Sequence, residues 1–236
     1  MRIMDDYMDA DILTVIAPFC DIETLSRLAR TCKVNYSVIR ENPIYHQFAK
    51  FYNKFCTFST ACEQGYIHIA KWLYSRGAGI HGKKGFLFTQ VCTHGHLELA
   101  KWLWSLDTGI VVDFVDIPSL CNRVFKLTCE SGRLETAQWL LTVCVIDVHE
   151  SYDSPFRRAC EKGHLKVAQW LYNFGNVDVH AKEDYAFREA CVMGCIKTAK
   201  WLYKLGQFDG YVVNVAFTMA CKENHQNIQE WLQGFG

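Results

Sequence analysis

A phenylalanine, a cysteine and a tryptophan recur together six times in this chain, the cysteine always four residues after the phenylalanine and ten before the tryptophan. The cysteines are Cys62, Cys92, Cys129, Cys160, Cys191 and Cys221, spaced by 30, 37, 31, 31 and 30 residues. The phenylalanines are Phe58, Phe88, Phe125, Phe156, Phe187 and Phe217; the tryptophans are Trp72, Trp102, Trp139, Trp170, Trp201 and Trp231. A period near 31 that holds three registers at once restricts the fold to a repeat architecture.

Within each unit, Phe, a small residue and Cys lie three or four apart and share one helical face. Three residues after the cysteine stand Gly65, Gly95, Gly132, Gly163 and Gly194, with Asn224 in the sixth unit. A helix that ends on a left-handed residue favours glycine, then asparagine, at that place. Beyond it, apolar residues such as Ile67, Ile69, Ala70, Trp72 and Leu73 predict a second short helix with one apolar side. Each unit is therefore a helix-turn-helix, and an all-α solenoid of six such units over residues 56–236 is expected. One pair cannot bury its apolar side alone, whereas stacked pairs bury it against neighbours, each buried tryptophan contributing roughly 2–3 kcal/mol. The last unit carries Lys222, Glu223, His225, Gln226, Asn227, Gln229 and Glu230 where others are apolar, the pattern of a C-terminal cap.

Half of the 236 residues are apolar, enough for a sizeable core. Lys plus Arg equals Asp plus Glu at 25 each, so nothing supplies the positive footprint that phosphate backbones or anionic membranes attract. Neither nucleic acid nor a membrane is an expected partner. Met1 to Tyr7 holds two acids and no apolar core, and the apolar stretch Ile12 to Cys20 is short and contains Pro18, so neither a signal peptide nor a membrane span is expected.

Twelve cysteines invite readings as metal or disulfide chemistry. Cys191-x-x-x-Cys195 and His94-x-His96 have ligand-like spacings, but Cys191 sits at the core position shared by five other units, where cysteine acts as a small apolar residue. Disulfides between neighbouring repeat cysteines are disfavoured, because packed layers stand roughly 10 Å apart and a bridge needs α-carbons within about 7 Å. Reduced thiols in a cytosol fit better. No Gly-x-Ser-x-Gly, phosphate-binding glycine loop or His-Glu-x-x-His is present, and Cys160 with His164 follows from the repeat. No metal, cofactor or catalytic residue is expected. A nucleobase-stacking role for the tryptophans is set aside, since six of the seven share one apolar helical position.

The unit resembles the ankyrin repeat, Thr-Pro-Leu-His-x-Ala-Ala-x-x-Gly-His-Leu-Glu followed by an apolar helix. Ser154-Pro155-Phe156-Arg157-Arg158-Ala159-Cys160-Glu161-Lys162-Gly163-His164-Leu165 is the nearest copy, and Gly-His-Leu recurs at 95–97. Asn176-Val177-Asp178-Val179-His180 and Val145-Ile146-Asp147-Val148-His149 are similar to the stretch that ends an ankyrin repeat. The Thr-Pro turn is missing from five units. The Ala-Cys and Lys-Trp-Leu-Tyr wording is similar to ankyrin repeats of amoeba-infecting giant DNA viruses and some protists.

Residues 5–50 do not follow the repeat, yet Ile12, Leu13, Ile16, Phe19, Leu25, Leu28, Ala29, Cys32, Tyr36 and Ile39 recur at helical intervals, predicting two or three short helices. Their order resembles an F-box: Asp11-Ile12-Leu13, Asp21-Ile22-Glu23-Thr24-Leu25, Thr31-Cys32-Lys33 and Glu41-Asn42-Pro43-Ile44-Tyr45. It departs in lacking Leu-Pro before Ile12 and in carrying Tyr45 where tryptophan is typical. The other reading is a helical cap over Phe58 and its neighbours.

The resemblance implies a protein-binding module and not an enzyme: a segment at 5–50 that binds a Skp-family adaptor of a cullin ubiquitin ligase through Ile12, Leu13, Ile16, Leu25 and Leu28, and a solenoid at 56–236 that holds the substrate. A scaffold that sequesters a partner without ubiquitin transfer is the alternative. Recognition would use what the repeat leaves free. These are the loop tips Lys83, Lys84, Asp116, Tyr152, Asp153, Glu183, Asp184 and Tyr211, and the helix faces Lys126, Arg157, Arg158, Arg188 and Glu189. A cytoplasmic or nuclear monomer is expected. The 37-residue interval between Cys92 and Cys129 adds about six residues within Ser105 to Asn122, a further candidate contact.

Overall fold

The computed structural model describes residues 57–75, 84–106 and 117–234. Among them are twelve helices and no strand, in helix-turn-helix pairs: α1 (Phe58–Glu63) with α2 (Ile67–Ser75), α3 (Lys84–His94) with α4 (Leu97–Ser105), α5 (Ile117–Glu130) with α6 (Leu134–Val143), α7 (Glu150–Glu161) with α8 (Leu165–Tyr172), α9 (Ala181–Val192) with α10 (Ile196–Gly206), and α11 (Gly210–Lys222) with α12 (Gln226–Gln233). The fold is the all-α repeat array that the register predicts. The chain forms two compact units, Met1–Leu87 and Phe88–Gly236. The segment at 5–50, with Ile12, Leu13, Ile16, Leu25 and Leu28, lies outside the described residues, as do Lys83 and Asp116.

In the first unit α1 packs on α2. Thr57 caps α1, its hydroxyl accepting from the Thr60 N–H at 3.2 Å, and Phe58 meets Tyr74 with ring centroids 6.3 Å apart. Phe58, Ala61, Cys62, Ile69 and Ala70 are buried.

In the second unit α5, α7, α9 and α11 stack in that order, and each packs on the second helix of its own pair. The turn between paired helices is built one way throughout. Gly163 sits at φ +74°, its N–H donating to the Cys160 carbonyl at 3.0 Å, and the His164 N–H donates to the Ala159 carbonyl at 2.9 Å. These two bonds satisfy carbonyls that the end of α7 would leave open. Asn224 adopts the same conformation at φ +58°.

Phe88, Phe125, Phe156 and Phe187 and Cys92, Cys129, Cys160 and Cys191 are buried, as are Ala100, Ala137, Ala168 and Ala199 eight residues after each cysteine. In the last pair Phe217 and Cys221 are half-buried, since no further pair among the described residues packs on α11. The tryptophans differ from the expectation of full burial: Trp102, Trp139, Trp170, Trp201 and Trp231 are half-buried. The reason is their place at the junction between pairs. Each of the last four meets the phenylalanine of the preceding pair, Phe88–Trp139, Phe125–Trp170, Phe156–Trp201 and Phe187–Trp231, with centroids 6.3, 6.2, 6.2 and 6.4 Å apart. An indole is large enough to join that junction and still reach solvent.

Candidate protein-binding fingers

Two segments that precede right-handed helix, Ser151-Tyr152-Asp153 and Lys182-Glu183-Asp184, share an unusual backbone. All six residues are left-handed, with φ of 55°, 61°, 56°, 58°, 57° and 60°. None is glycine, and such a conformation costs an L-residue about 1–2 kcal/mol. Side chains at equal offsets hold both turns. Arg157 donates from Nε to the Tyr152 carbonyl at 2.7 Å and from Nη2 to the Ser151 carbonyl at 2.8 Å. Arg188 donates in the same way to Glu183 at 2.7 Å and Lys182 at 3.4 Å. The planar guanidinium fork suits two adjacent carbonyls.

The carboxylates close each finger. His149 Nδ1 meets Asp153 Oδ1 at 2.5 Å and His180 Nδ1 meets Asp184 Oδ1 at 2.6 Å. The Asp147 and Asp178 side chains accept from the N–H groups of His149 and His180 at 3.0 and 2.9 Å. The Asp178 N–H in turn donates to Asp153 Oδ2 at 3.1 Å, and the Asp147 N–H to Asn122 Oδ1 at 3.0 Å, tying each finger to the repeat before it. Right-handed helix resumes at Ser154-Pro155, where proline fits a first helical position because that N–H has no partner within the helix.

A second network joins the first helices of these two repeats. The Glu161 carboxylate accepts from Arg158 Nη1 at 2.7 Å and the Tyr185 hydroxyl at 2.8 Å, with Lys162 Nζ at 3.0 Å from its other oxygen. Burial alone would raise the Glu161 pKa, but the hydrogen bonds from Lys162, Tyr185 and Arg158 bring it below the ordinary value. Tyr185 is pushed up to about 12, first by burial and then by its bond to Glu161. The Arg157 guanidinium lies 5.0 Å over the Tyr185 ring, and Lys182 Nζ lies 4.0 Å over the Tyr152 ring.

The structure therefore divides the residues singled out from the sequence. Tyr152, Arg157, Arg158, Glu183, Asp184 and Arg188 gather across the repeats of α7 and α9. Of these, Tyr152 and Glu183 present exposed side chains, Tyr152 at 66 %. Asp153 is buried, and Arg157, Arg188 and Asp184 are engaged in holding the turns. Tyr211 lies in the first turn of α11 and is 77 % exposed. Lys84 opens α3, Lys126 is half-buried on α5, and Glu189 is half-buried on α9. Sequence reasoning singled out Asp153, Arg157, Asp184 and Arg188 as partner contacts and missed that they hold the turns. Their signal was an Asp-x-His-x-x-x-Asp-x-x-x-Arg spacing, present at Asp147-His149-Asp153-Arg157 and again at Asp178-His180-Asp184-Arg188.

Five of the six repeat cysteines are buried thiols. Burial raises the thiol pKa of each of Cys92, Cys129 and Cys160, and brings Cys62 and Cys191 to about 12. A thiol so placed is rarely a thiolate at neutral pH. No group of three or more His, Cys, Asp or Glu suited to a metal ion occurs among the described residues. No described helix is long and apolar enough to cross a membrane.

Paired helices, the glycine turn and the fingers between pairs define an ankyrin-repeat fold. A solved structure described as the crystal structure of human ASB11 ankyrin repeat domain is similar, with a TM-score of 0.54 and 19 % sequence identity, over 77 % of this chain and 84 % of that one. At that identity the likeness is one of fold. No family model and no curated protein matches the sequence.

Proposed function

We propose that the chain is a protein-interaction adaptor that grips a target through its fingers and the adjoining first-helix faces, without catalysis of its own. The observation that carries this reading is the exposed Tyr152, Lys182 and Glu183 standing on left-handed turns that arginines and carboxylates hold rigid. A rigid backbone presents such side chains with little further entropy to lose on binding. Tyrosine offers a large, amphipathic contact of the kind enriched at interfaces.

The finer reading assigns residues 5–50 to a Skp-family adaptor, through Ile12, Leu13, Ile16, Leu25 and Leu28, so that the repeats choose what a cullin ligase modifies. It rests on the order of the F-box-like motifs. Full-length chain should retain a purified Skp-family protein, while Ile12→Glu and Leu25→Glu should lose it with unchanged melting. Failure of the wild-type chain to retain the adaptor would leave a scaffold that holds its partner without ubiquitin transfer.

A further inference from the structure

We propose that Cys121 and Cys144 form a disulfide site, closed by exchange with a small disulfide of the glutathione class. Six of the cysteines are explained by the repeat, and these two are not. Eight residues before the framework cysteine, where repeat three has Cys121, the next two repeats have Tyr152 and Glu183; fifteen residues after it, in place of Cys144, they have Gly175 and Gly206. The helix-turn-helix framework therefore asks for a thiol at neither place. The fold nevertheless brings the two together, with Sγ atoms 2.6 Å apart across 23 residues of chain. A bond of about 2.05 Å needs only a small side-chain adjustment from there.

Both sulfurs stand on ordered backbone. Cys121 is in the second turn of α5 and is buried. Cys144 ends α6 in extended conformation, its N–H donating to the Leu140 carbonyl at 2.9 Å, and its side chain is half-buried. The proton the pair shares lowers the Cys121 thiol and raises that of Cys144, as expected of two sulfurs in direct contact. A metal reading is the weaker one, because no third ligand completes a metal-binding group among the described residues.

The chemistry balances with glutathione disulfide as oxidant. One proton leaves the pair; with the other on Cys121, as the donor to Cys144, the Cys144 thiolate, the more exposed sulfur and the one glutathione disulfide can reach, attacks one sulfur of glutathione disulfide, forming a mixed disulfide and releasing one glutathione thiolate. The Cys121 thiolate then attacks the Cys144 sulfur and expels the second glutathione. Two protein thiols are oxidised, one glutathione disulfide is reduced to two glutathiones, and the two protons pass to the departing thiolates. The product would join the start of α5 to the end of α6 in the repeat entered by the 37-residue interval.

Full-length protein, reduced, desalted and incubated with glutathione disulfide, is to be alkylated under denaturing conditions and digested without reduction. The expected product is a peptide pair joined through Cys121 and Cys144, two hydrogens lighter than the dithiol pair. A melting temperature raised by roughly 5 °C or more is expected alongside it, with no rise in Cys144→Ser. Cys121→Ala is expected to trap glutathione on Cys144. Recovery of both cysteines alkylated in the wild-type chain, or of a lasting glutathione adduct on Cys144 beside an alkylated Cys121, would overturn the proposal.

Discussion

The Trp170 indole packs edge-on against the Phe125 ring, centroids 6.2 Å apart and planes at 61°, although the two belong to different repeats. The same pairing recurs between Phe156 and Trp201 and between Phe187 and Trp231. From Phe88 onward a repeat thus owes part of its cohesion to a ring supplied by its successor, and the regular spacing becomes an energetic coupling between those repeats.

Phe125 is buried and Trp170 half-buried, so Phe125→Ala should cost about 3–5 kcal/mol and Trp170→Ala less. A double-mutant cycle on urea unfolding should return a coupling of about 1 kcal/mol. Additive losses would mean that the ring contact contributes nothing beyond burial.

A Cβ on Gly194 would stand 2.6 Å from His225 Nδ1, whereas one on Gly175 would meet nothing within 4 Å. Both glycines have positive φ, 70° and 91°, so alanine is strained at either. Gly194→Ala should therefore cost more than Gly175→Ala, by about 1 kcal/mol or more. Adding His225→Ala to Gly194→Ala should narrow the gap in thermal melts.

Thr198 lies at a core position held in other repeats by Ile69, Leu99 and Val167, and its buried hydroxyl has no hydrogen-bond partner. Replacing an unsatisfied hydroxyl by a methyl removes a desolvation cost without changing shape. Thr198→Val should stabilise the chain by about 1 kcal/mol. An unchanged urea midpoint would count against that account.

The His164 imidazole stands against Gly132. Burial lowers its pKa, the hydrogen bond to the Glu130 backbone raises it and the Arg133 charge lowers it, with a net fall. A pKa lower in the folded than in the unfolded chain means that the unfolded chain binds the proton more readily. The contribution to stability is therefore fully present above the ordinary histidine value of about 6.5 and is lost as pH falls through the folded value. Melting temperature should drop between about pH 7 and pH 5, and His164→Gln should flatten that part of the profile.

Without the guanidinium fork the left-handed turn has less to hold it. Arg157→Ala should speed amide hydrogen exchange across residues 149–153, with little effect near Arg188. Equal protection in mutant and wild type would show that His149 and Asp153 suffice.

The helix pairs were legible because Phe58 and Cys62 and their counterparts stand four apart on one helical face, Trp72 and its counterparts sit on the apolar side of the helix that follows, and burial of apolar surface depends on that local periodicity. Glycine at 163 was legible through its left-handed turn, but its second reason was not. The side chain at the start of the following repeat's second helix, here Cys195, lies against it: a Cβ on Gly163 would stand 2.5 Å from the Cys195 Sγ. Equivalent residues reach back to the preceding repeat. Arg133 Nε donates to the Thr93 carbonyl at 3.2 Å, and the Cys195 thiol to that of Glu161 at 3.6 Å.

The finger candidates show the same division. Asp153, Arg157, Asp184 and Arg188 are charged residues in a loop, and charge alone could not tell a side chain offered to a partner from one turned back on its own backbone. That choice depends on which carbonyls the left-handed turn exposes, and on hydrogen bonds such as Asp178 N–H to Asp153 that cross 25 residues. Repeat number, helix pairing and core registers follow from periodicity that amino-acid order carries directly. The half-buried tryptophans arise only when consecutive repeats stack, and the meeting of Cys121 with Cys144 only when the two helices of one repeat pair, because each is a contact between groups that no local spacing relates; the arginine-held turns are local, and the stack adds only their ties to the repeat before.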